Sequence, residues 1–352
     1  MKELVDGFRD RIAQVADRNQ SLCIRGSGSK DFYGAPIEGE ALDIRDYRGI
    51  IDYEPTELVL QARAGTPLSE IEQTLADHGQ MLAFEPPHFG PEATLGGTIA
   101  CGLSGPRRAS VGSARDFVLG VRILDGRGKD LAFGGKVMKN VAGYDVSRLM
   151  VGALGTLGVL LDIALKVLPR PEHELTLRLP FSQADAIRQM NHWAGKPLPI
   201  SATCHEEANL SVRLSGTRAG VEAAARLLGG AEVEDATTYW ATLREHHSDF
   251  FREEGELWRI SVKSTAPILP LPGRQVIEWN GALRWVKTDA SAAVVRDVAC
   301  KAGGHATLFR TREAVAARFQ QPSPGIMTLH RRLKQAFDPA GILNRGRLYP
   351  DL

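Results

Sequence analysis

The residue type in this chain whose placement points to chemistry is glycine. One group, Arg25-Gly26-Ser27-Gly28-Ser29-Lys30, follows directly on a short apolar run. Consecutive small residues let backbone N–H groups converge on an anion such as a pyrophosphate, with Ser27, Ser29 and Lys30 as further donors. Taken alone, the group also suits an ordinary turn. A second group, Thr94-Leu95-Gly96-Gly97-Thr98-Ile99-Ala100-Cys101-Gly102-Leu103-Ser104-Gly105, is denser, and its only large residues are Leu95, Ile99 and Leu103. Such a run is poor at building a core and poor at forming a helix. It belongs where backbone presses against a flat, bulky ligand, and its regularly placed aliphatics argue against a disordered loop. A third group comprises Gly143-Tyr144-Asp145 and the stretch Gly152 to Val159 with its Gly155-Thr156-Leu157-Gly158 turn.

Two well-known phosphate motifs do not fit. A dinucleotide fingerprint GxGxxG has Asp31 at its last position here, followed by Phe32-Tyr33. A Walker loop fails because Gly135-Lys136 is followed by Val137 and Asp130 stands where the first glycine belongs.

The elements that must position these loops are readable from periodicity. Leu4, Val5, Phe8, Ile12 and Val15 mark one face of a first helix. A strand over 21–25 leads into the first glycine group. A strand around 58–63 stops at Gly65, where Thr66 can cap a helix with Pro67 in its first turn, Leu68, Ile71 and Leu75 on its buried face and Gly79 at its end. Strands over 117–124 and 129–133 join through Asp125-Gly126 as a hairpin, Asp145 can cap a short helix through 149–150, and 157–167 reads as a further strand. Pro169-Arg170-Pro171 breaks the pattern. After it come strand, helix (183–193), strand (200–205), strand (210–214), helix (218–228), a strand at 257–263 and a strand–helix–strand run over 276–309. This alternation suggests an α+β unit with an antiparallel sheet. Pro322-Ser323-Pro324-Gly325 is a second boundary, before a closing helix over 327–337. The expected units are therefore 1–170, 171–325 and 326–352.

Composition bounds the function. The 352 residues are 43% hydrophobic and 24% charged, with a net charge of +1, an ordinary globular balance that gives no reason to expect nucleic acid. The first residues lack the apolar region of a secretory signal. The most apolar stretch, 151–168, holds Asp162 and Lys166 and reads as buried structure, not a membrane span. Cys23, Cys101, Cys204 and Cys300 are far apart, so the chain has no ordinary iron–sulfur spacing. Isolated thiols fit the cytosol and core packing.

The ordered set Arg25-Gly26-Ser27-Gly28-Ser29, Thr94-Leu95-Gly96-Gly97 and Gly155-Thr156-Leu157-Gly158-Val159 resembles the PCMH-type FAD-binding domain of the vanillyl-alcohol-oxidase flavoproteins. The tail Phe337-Asp338-Pro339-Ala340-Gly341-Ile342-Leu343-Asn344-Arg345-Gly346 resembles that family's closing segment. The run from Lys136 through Asn140, Gly143-Tyr144-Asp145 and Arg148-Leu149 is similar to the FAD-binding subunits of bacterial glycolate oxidase complexes.

The resemblance implies an α+β fold, with a PCMH-type two-lobed FAD-binding domain, a smaller antiparallel cap domain and a tail returning to the first. It implies that Gly26, Ser27, Gly28, Ser29 and Lys30 wrap the FAD pyrophosphate. Pro86, Thr94, Gly96, Gly97, Thr98, Ala100, Gly102 and Gly105 would run along the diphosphate, ribityl chain and ring. Gly158 and Val159 would face the adenine side, and Asn344 would approach the flavin ring. Arg345 stands where the family commonly has proline. Covalently flavinylated members often carry a histidine late in the first loop; Ser29 and Lys30 stand there instead, implying non-covalent FAD, and His88 reads as structural.

The implied activity is FAD-dependent oxidation of the CH–OH group of a 2-hydroxy acid, glycolate to glyoxylate, within a complex. A second flavin-containing subunit and an iron–sulfur subunit are the implied partners, placing the chain in the cytoplasm or, through those partners, at the inner face of the membrane. Such oxidation needs a base and cations for the carboxylate. Arg259 and Lys263 share a strand face if period two holds, to clasp a carboxylate or to face solvent. Adjacent His246-His247 would diverge on a helix by ~100°, and the paired-histidine metal and Glu-His-Gly motifs of single-chain relatives are missing, so no metal is expected and the catalytic base is unassigned. A self-sufficient dehydrogenase of another small hydroxy acid or alcohol, and a non-catalytic assembly subunit, are the alternative readings.

Overall fold

The computed structural model describes residues 1–135, 145–313, 315 and 317–352. The resemblance drawn from 136–144 therefore lies outside the described residues. The helix Lys2–Asp17 buries Val5, Phe8, Ile12 and Val15, the face its periodicity marks. The strand Leu22–Arg25 pairs in parallel with Glu40–Asp43. A five-stranded antiparallel sheet runs in the order Ile50–Glu54, Val59–Arg63, Val159–Lys166, Val118–Leu124, Asp130–Gly134. Its central strand, Val159–Lys166, is buried along nearly its whole length, which explains its near-continuous apolar sequence.

Two local expectations need correction. Thr66 does not cap the helix Leu68–Ala76; Pro67 occupies that position, and Thr66 Oγ1 accepts the Gly49 amide at 2.9 Å. The glycine-rich second group does form a helix, Leu95–Cys101. Thr94 caps it by accepting the Gly97 amide at 3.3 Å, and Leu95 and Ile99, four residues apart, are fully buried. Tertiary packing thus overrides weak propensity: the absence of a side chain at Gly96 lets the helix approach Ala64, whose carbonyl accepts the Gly96 amide at 2.7 Å.

The second half forms an eight-stranded antiparallel sheet in the order Ala231–Glu232, His173–Pro180, Asn209–Gly216, Ile200–Glu206, Arg274–Glu278, Leu283–Lys287, Leu257–Ser261, His305–Arg310. Side chains alternate across it. Ile277, Trp258, Val286 and Leu308 point to the face covered by the helices Gln183–Ala194, Arg218–Leu228 and Ala292–Lys301. Val276, Leu257, Trp285 and Phe309 point to the other face and pack with Tyr33, Leu103 and Leu154 from the first half. The helices Ala236–Arg244 and Asp249–Arg252 were not expected from the sequence.

The closing helix, Pro324–Phe337, starts three residues before its expected beginning, with Pro324 in its first turn. Beyond it the chain rejoins the first half. Ile342 and Leu343 are fully buried in that core, and Leu22 exchanges backbone hydrogen bonds with Ile342 and Asn344 at 2.8 and 3.0 Å. Buried Asp338 holds this return by accepting from the Ile342 and Leu343 amides and from Lys334 Nζ at 2.7 Å.

Candidate functional site

A cavity of about 380 Å³ opens where the strand Leu22–Arg25 ends, bounded by the helix Leu95–Cys101, the turn at 154–158 and the returning tail. Its first wall is backbone. A Cβ on Gly26 would overlap Thr94 Oγ1, and Gly28 has φ +81°, a conformation that side chains disfavour. The Asp31 amide bonds the Gly28 carbonyl at 3.0 Å and the Ser29 amide reaches Ser27 Oγ at 3.4 Å. Among the described residues no acceptor meets the amides of Gly26, Ser27, Gly28 and Lys30. Amides converging without protein acceptors form an anion-binding concavity.

Side chains hold the other walls. Lys30 is buried; its Nζ donates to the His88 carbonyl at 3.0 Å, and burial lowers its pKa. Asn344 Oδ1 accepts the Ile24 amide at 2.8 Å while its Nδ2 donates to the Leu154 carbonyl at 2.6 Å. That one side chain clamps the first strand to the 154–158 turn. Arg347 closes the loop from outside by donating to the carbonyls of Ala35 and Asp31, each at 2.9 Å. Cys23 and Cys101 line the cavity, contrary to the expected core role; Cys204 is buried and Cys300 exposed. Burial raises both cavity thiols, Cys101 to about 11, which keeps them protonated and poorly nucleophilic.

Of the sequence-derived site residues, Gly26, Ser27, Gly28, Ser29, Lys30, Thr94, Gly96, Gly97, Ala100, Gly158 and Asn344 come together around this cavity. The other five stand apart from it. Thr98 and Val159 are fully buried in the core, Gly102 ends the helix against Gly152, and Pro86 is buried before His88. Gly105 packs on Glu85 and donates to the Phe84 carbonyl at 2.9 Å. Cys101, Leu154, Pro36, Ile37 and Arg347 were missed. A helix at 95–101 places Gly97, Ala100 and Cys101 on one face by their three- and four-residue spacing, so reading that segment as helix would have found Cys101. Arg347 has no local signal.

The seam between the two sheets carries the other polar cluster. Glu85 pairs with Arg107 and Arg213 at 3.3 and 2.9 Å, and Arg107 also reaches Glu174 at 2.5 Å. Burial raises the Glu85 pKa, but the two guanidiniums outweigh it and the net shift is downward. His246 lies past the end of its helix with φ +57°, stacked 3.8 Å from the Phe251 ring, its Nδ1 without a partner among the described residues. Arg259 stacks 5.2 Å from the Trp279 ring centre, and its strand ends at Ser261, so the shared face with Lys263 does not extend that far. Burial raises Glu278 to about 7 despite the Trp285 Nε1 hydrogen bond at 2.7 Å. The room beside His246, Arg259 and Glu278 is only about 20 Å³, enough for a single water.

Residues 6–134 match the FAD binding domain family and residues 292–348 match the C-terminal domain of FAD linked oxidases. Over 343 residues the chain is 51% identical to the glycolate oxidase subunit GlcE of Escherichia coli, covering 97% of each chain. The chain belongs to the GlcE family of FAD-linked oxidases. Its cofactor is FAD, and the acceptor-free amides and side-chain-free wall of the cavity fit a dinucleotide diphosphate. Members of wider kinship match a little over half of this chain. A D-lactate dehydrogenase of Archaeoglobus fulgidus is 34% identical over 57% of this chain and 46% of its own. The glycolate oxidase subunit GlcD of Bacillus subtilis is 29% identical over 51% and 39%. An alkyldihydroxyacetonephosphate synthase structure superposes with a TM-score of 0.65 over 96% of this chain and 74% of its own, at 17% identity, and so shares the fold.

Proposed function

We propose that this chain is the FAD-carrying subunit of a complex that oxidises glycolate to glyoxylate, passing electrons onward to partner subunits. The observation that carries this reading is the near-full-length kinship with GlcE, joined to a backbone-walled cavity in the half that matches the FAD-binding family. When bound, FAD supplies the two-electron acceptor. The protein's part is to bind and orient. The amides of Gly26, Ser27, Gly28 and Lys30 would donate to the diphosphate. The helix face bearing Gly97 and Ala100 would hold the ribityl side, and Gly158 with Leu160 would hold the adenine end. Asn344 acts by positioning the walls.

Attachment is non-covalent in this reading. His88 is turned away, its Nε2 3.1 Å from Glu72 Oε1, and both cavity thiols are held protonated. Acid precipitation should leave the flavin in the supernatant. In this reading the domains are 1–170, 171–325 and 326–352, with the second border just inside the helix Pro324–Phe337; in its support, the five-stranded sheet ends at Lys166, the eight-stranded sheet runs from His173 to Arg310, and the tail packs on the first core. A second flavin-containing subunit receives substrate and an iron–sulfur subunit takes the electrons. The pocket beside His246, Arg259 and Glu278 supports this division, because it has room for one water and not for a hydroxy acid. Among the described residues no helix is long and apolar enough to cross a membrane; association with the inner face would come through the partners.

The test is a visible spectrum of the purified chain, then anaerobic glycolate, then the partner subunits. A flavin spectrum that bleaches only once the partners are present is the expected result. No flavin spectrum would overturn cofactor binding, and bleaching by glycolate alone would overturn dependence on partners.

A further inference from the structure

A cavity of about 310 Å³ opens away from the flavin walls, at the edge of the eight-stranded sheet. Strand register places Lys287, Leu257 and Arg310 side by side on three neighbouring strands, close enough for the two cationic side chains to converge. The Arg310 guanidinium is held by rings, 4.6 Å from the centre of Phe32 and 5.0 Å from that of Phe89. Burial lowers its pKa to about 10, and among the described residues it has no hydrogen bond or ion pair. Lys287 is buried, and its Nζ donates to the Glu253 backbone carbonyl. Burial lowers the Lys287 pKa, Glu253 opposes this, and Arg274 and Arg310 lower it further. The two cations therefore repel one another.

The nearby carboxylates are committed elsewhere. Glu253 pairs with Arg274 and Glu254 with Arg312. Aromatic faces offset part of the cost of partly burying a guanidinium, and its in-plane donors, with no protein acceptor among the described residues, stay free for a ligand. An anion entering this cavity would meet those donors and offset the repulsion.

We propose that this cavity is a second ligand site, in which Arg310 and Lys287 bind a small organic carboxylate of the 2-hydroxy or 2-oxo acid class. The guanidinium fork matches a carboxylate in two parallel hydrogen bonds, with the ammonium as a point charge beside it. Phe251 and Leu257 offer apolar contact to a short carbon chain. That apolar contact favours a carboxylate on a carbon skeleton over inorganic phosphate. Only the choice of acid rests on the glycolate reading; the anion site stands on the side chains.

The experiment is calorimetric titration of the full-length FAD-loaded chain with sodium oxalate, and separately with inorganic phosphate, in low-chloride buffer. A single saturable oxalate phase is expected, weakened about tenfold or more by Lys287→Met and by Arg310→Lys, as loss of a charge-assisted bidentate contact implies. Circular dichroism and flavin content of both variants should match the parent. Chain stripped of flavin should still bind oxalate. Absence of binding, unchanged binding in both variants, or binding lost with the flavin would each overturn the site. Phosphate binding as tightly as oxalate would overturn the carboxylate assignment. Because flavin content is measured independently of the titration, failure of this site is distinguishable from failure of the glycolate reading.

Discussion

The flavin cavity is walled by backbone, whereas the seam between the two sheets is walled by charged and aromatic side chains. In the first, Gly26 and Gly28 bring amides to the surface of the cavity without side chains in the way. In the second, Glu85, Arg107 and Arg213 interlock across 22 and 128 residues of sequence, and His246 fits among four aromatic rings. The difference teaches where each region is fragile. A backbone wall fails when a side chain is added, and a side-chain wall fails when one is removed.

The largest effect on flavin binding should follow from filling the backbone wall. Gly26→Val pushes atoms onto Thr94, and overpacking of about 1–3 kcal/mol corresponds to roughly ten- to a hundredfold weaker FAD binding. Flavin absorbance per protein after gel filtration checks this; an unchanged ratio would remove Gly26 from the site. At the seam, Glu85→Ala leaves two guanidiniums without their shared carboxylate and should cost about 3–5 kcal/mol, read by urea unfolding. Because the Glu85 pKa is depressed in the folded chain, its contribution is present above the ordinary carboxylate pKa and is lost as pH falls through the folded value.

A smaller loss is expected from Asn344→Ala, which strands the Ile24 amide and the Leu154 carbonyl and should cost about 2 kcal/mol. Its flavin affinity should fall in step with stability, since the side chain acts through the walls. An affinity loss with stability unchanged would make it a direct contact instead.

The smallest effect belongs to Glu278. Its folded pKa is raised from 4.5 to about 7, so over that interval the unfolded chain ionises first and stability declines as pH rises. Glu278→Gln keeps an acceptor for Trp285 and removes the titration, so the variant should gain on the parent as pH rises from 4.5 to about 7 while matching it below pH 4. Parallel pH profiles for the two proteins would show that Glu278 is ionised throughout.

Legibility follows the same division. Loops whose function is carried by missing side chains announce themselves as clusters of small residues, and the three groups at 25–30, 94–105 and 155–159 were readable for that reason. One local misreading, a loop where Leu95–Cys101 is a helix, came from weighing glycine propensity without the tertiary contact to Ala64 that offsets it. Missing that helix hid Cys101. The seam was unreadable because its partners are remote. Glu85 is an ordinary acid in sequence, and nothing local marks Arg213 as its counterpart.

The sequence by itself determined the order of elements, the glycine loops, the breaks near 170 and 322, and the resemblance that pointed to FAD, because each depends on residue type and short spacing. Only the tertiary structure decided which residues of those loops share the cavity, that Asn344 acts as a clamp, and that Arg310 and Lys287 line one cavity. Those facts depend on strand register and on contacts across most of the chain, such as the 320 residues between Ile24 and Asn344, and short-range periodicity carries no record of them.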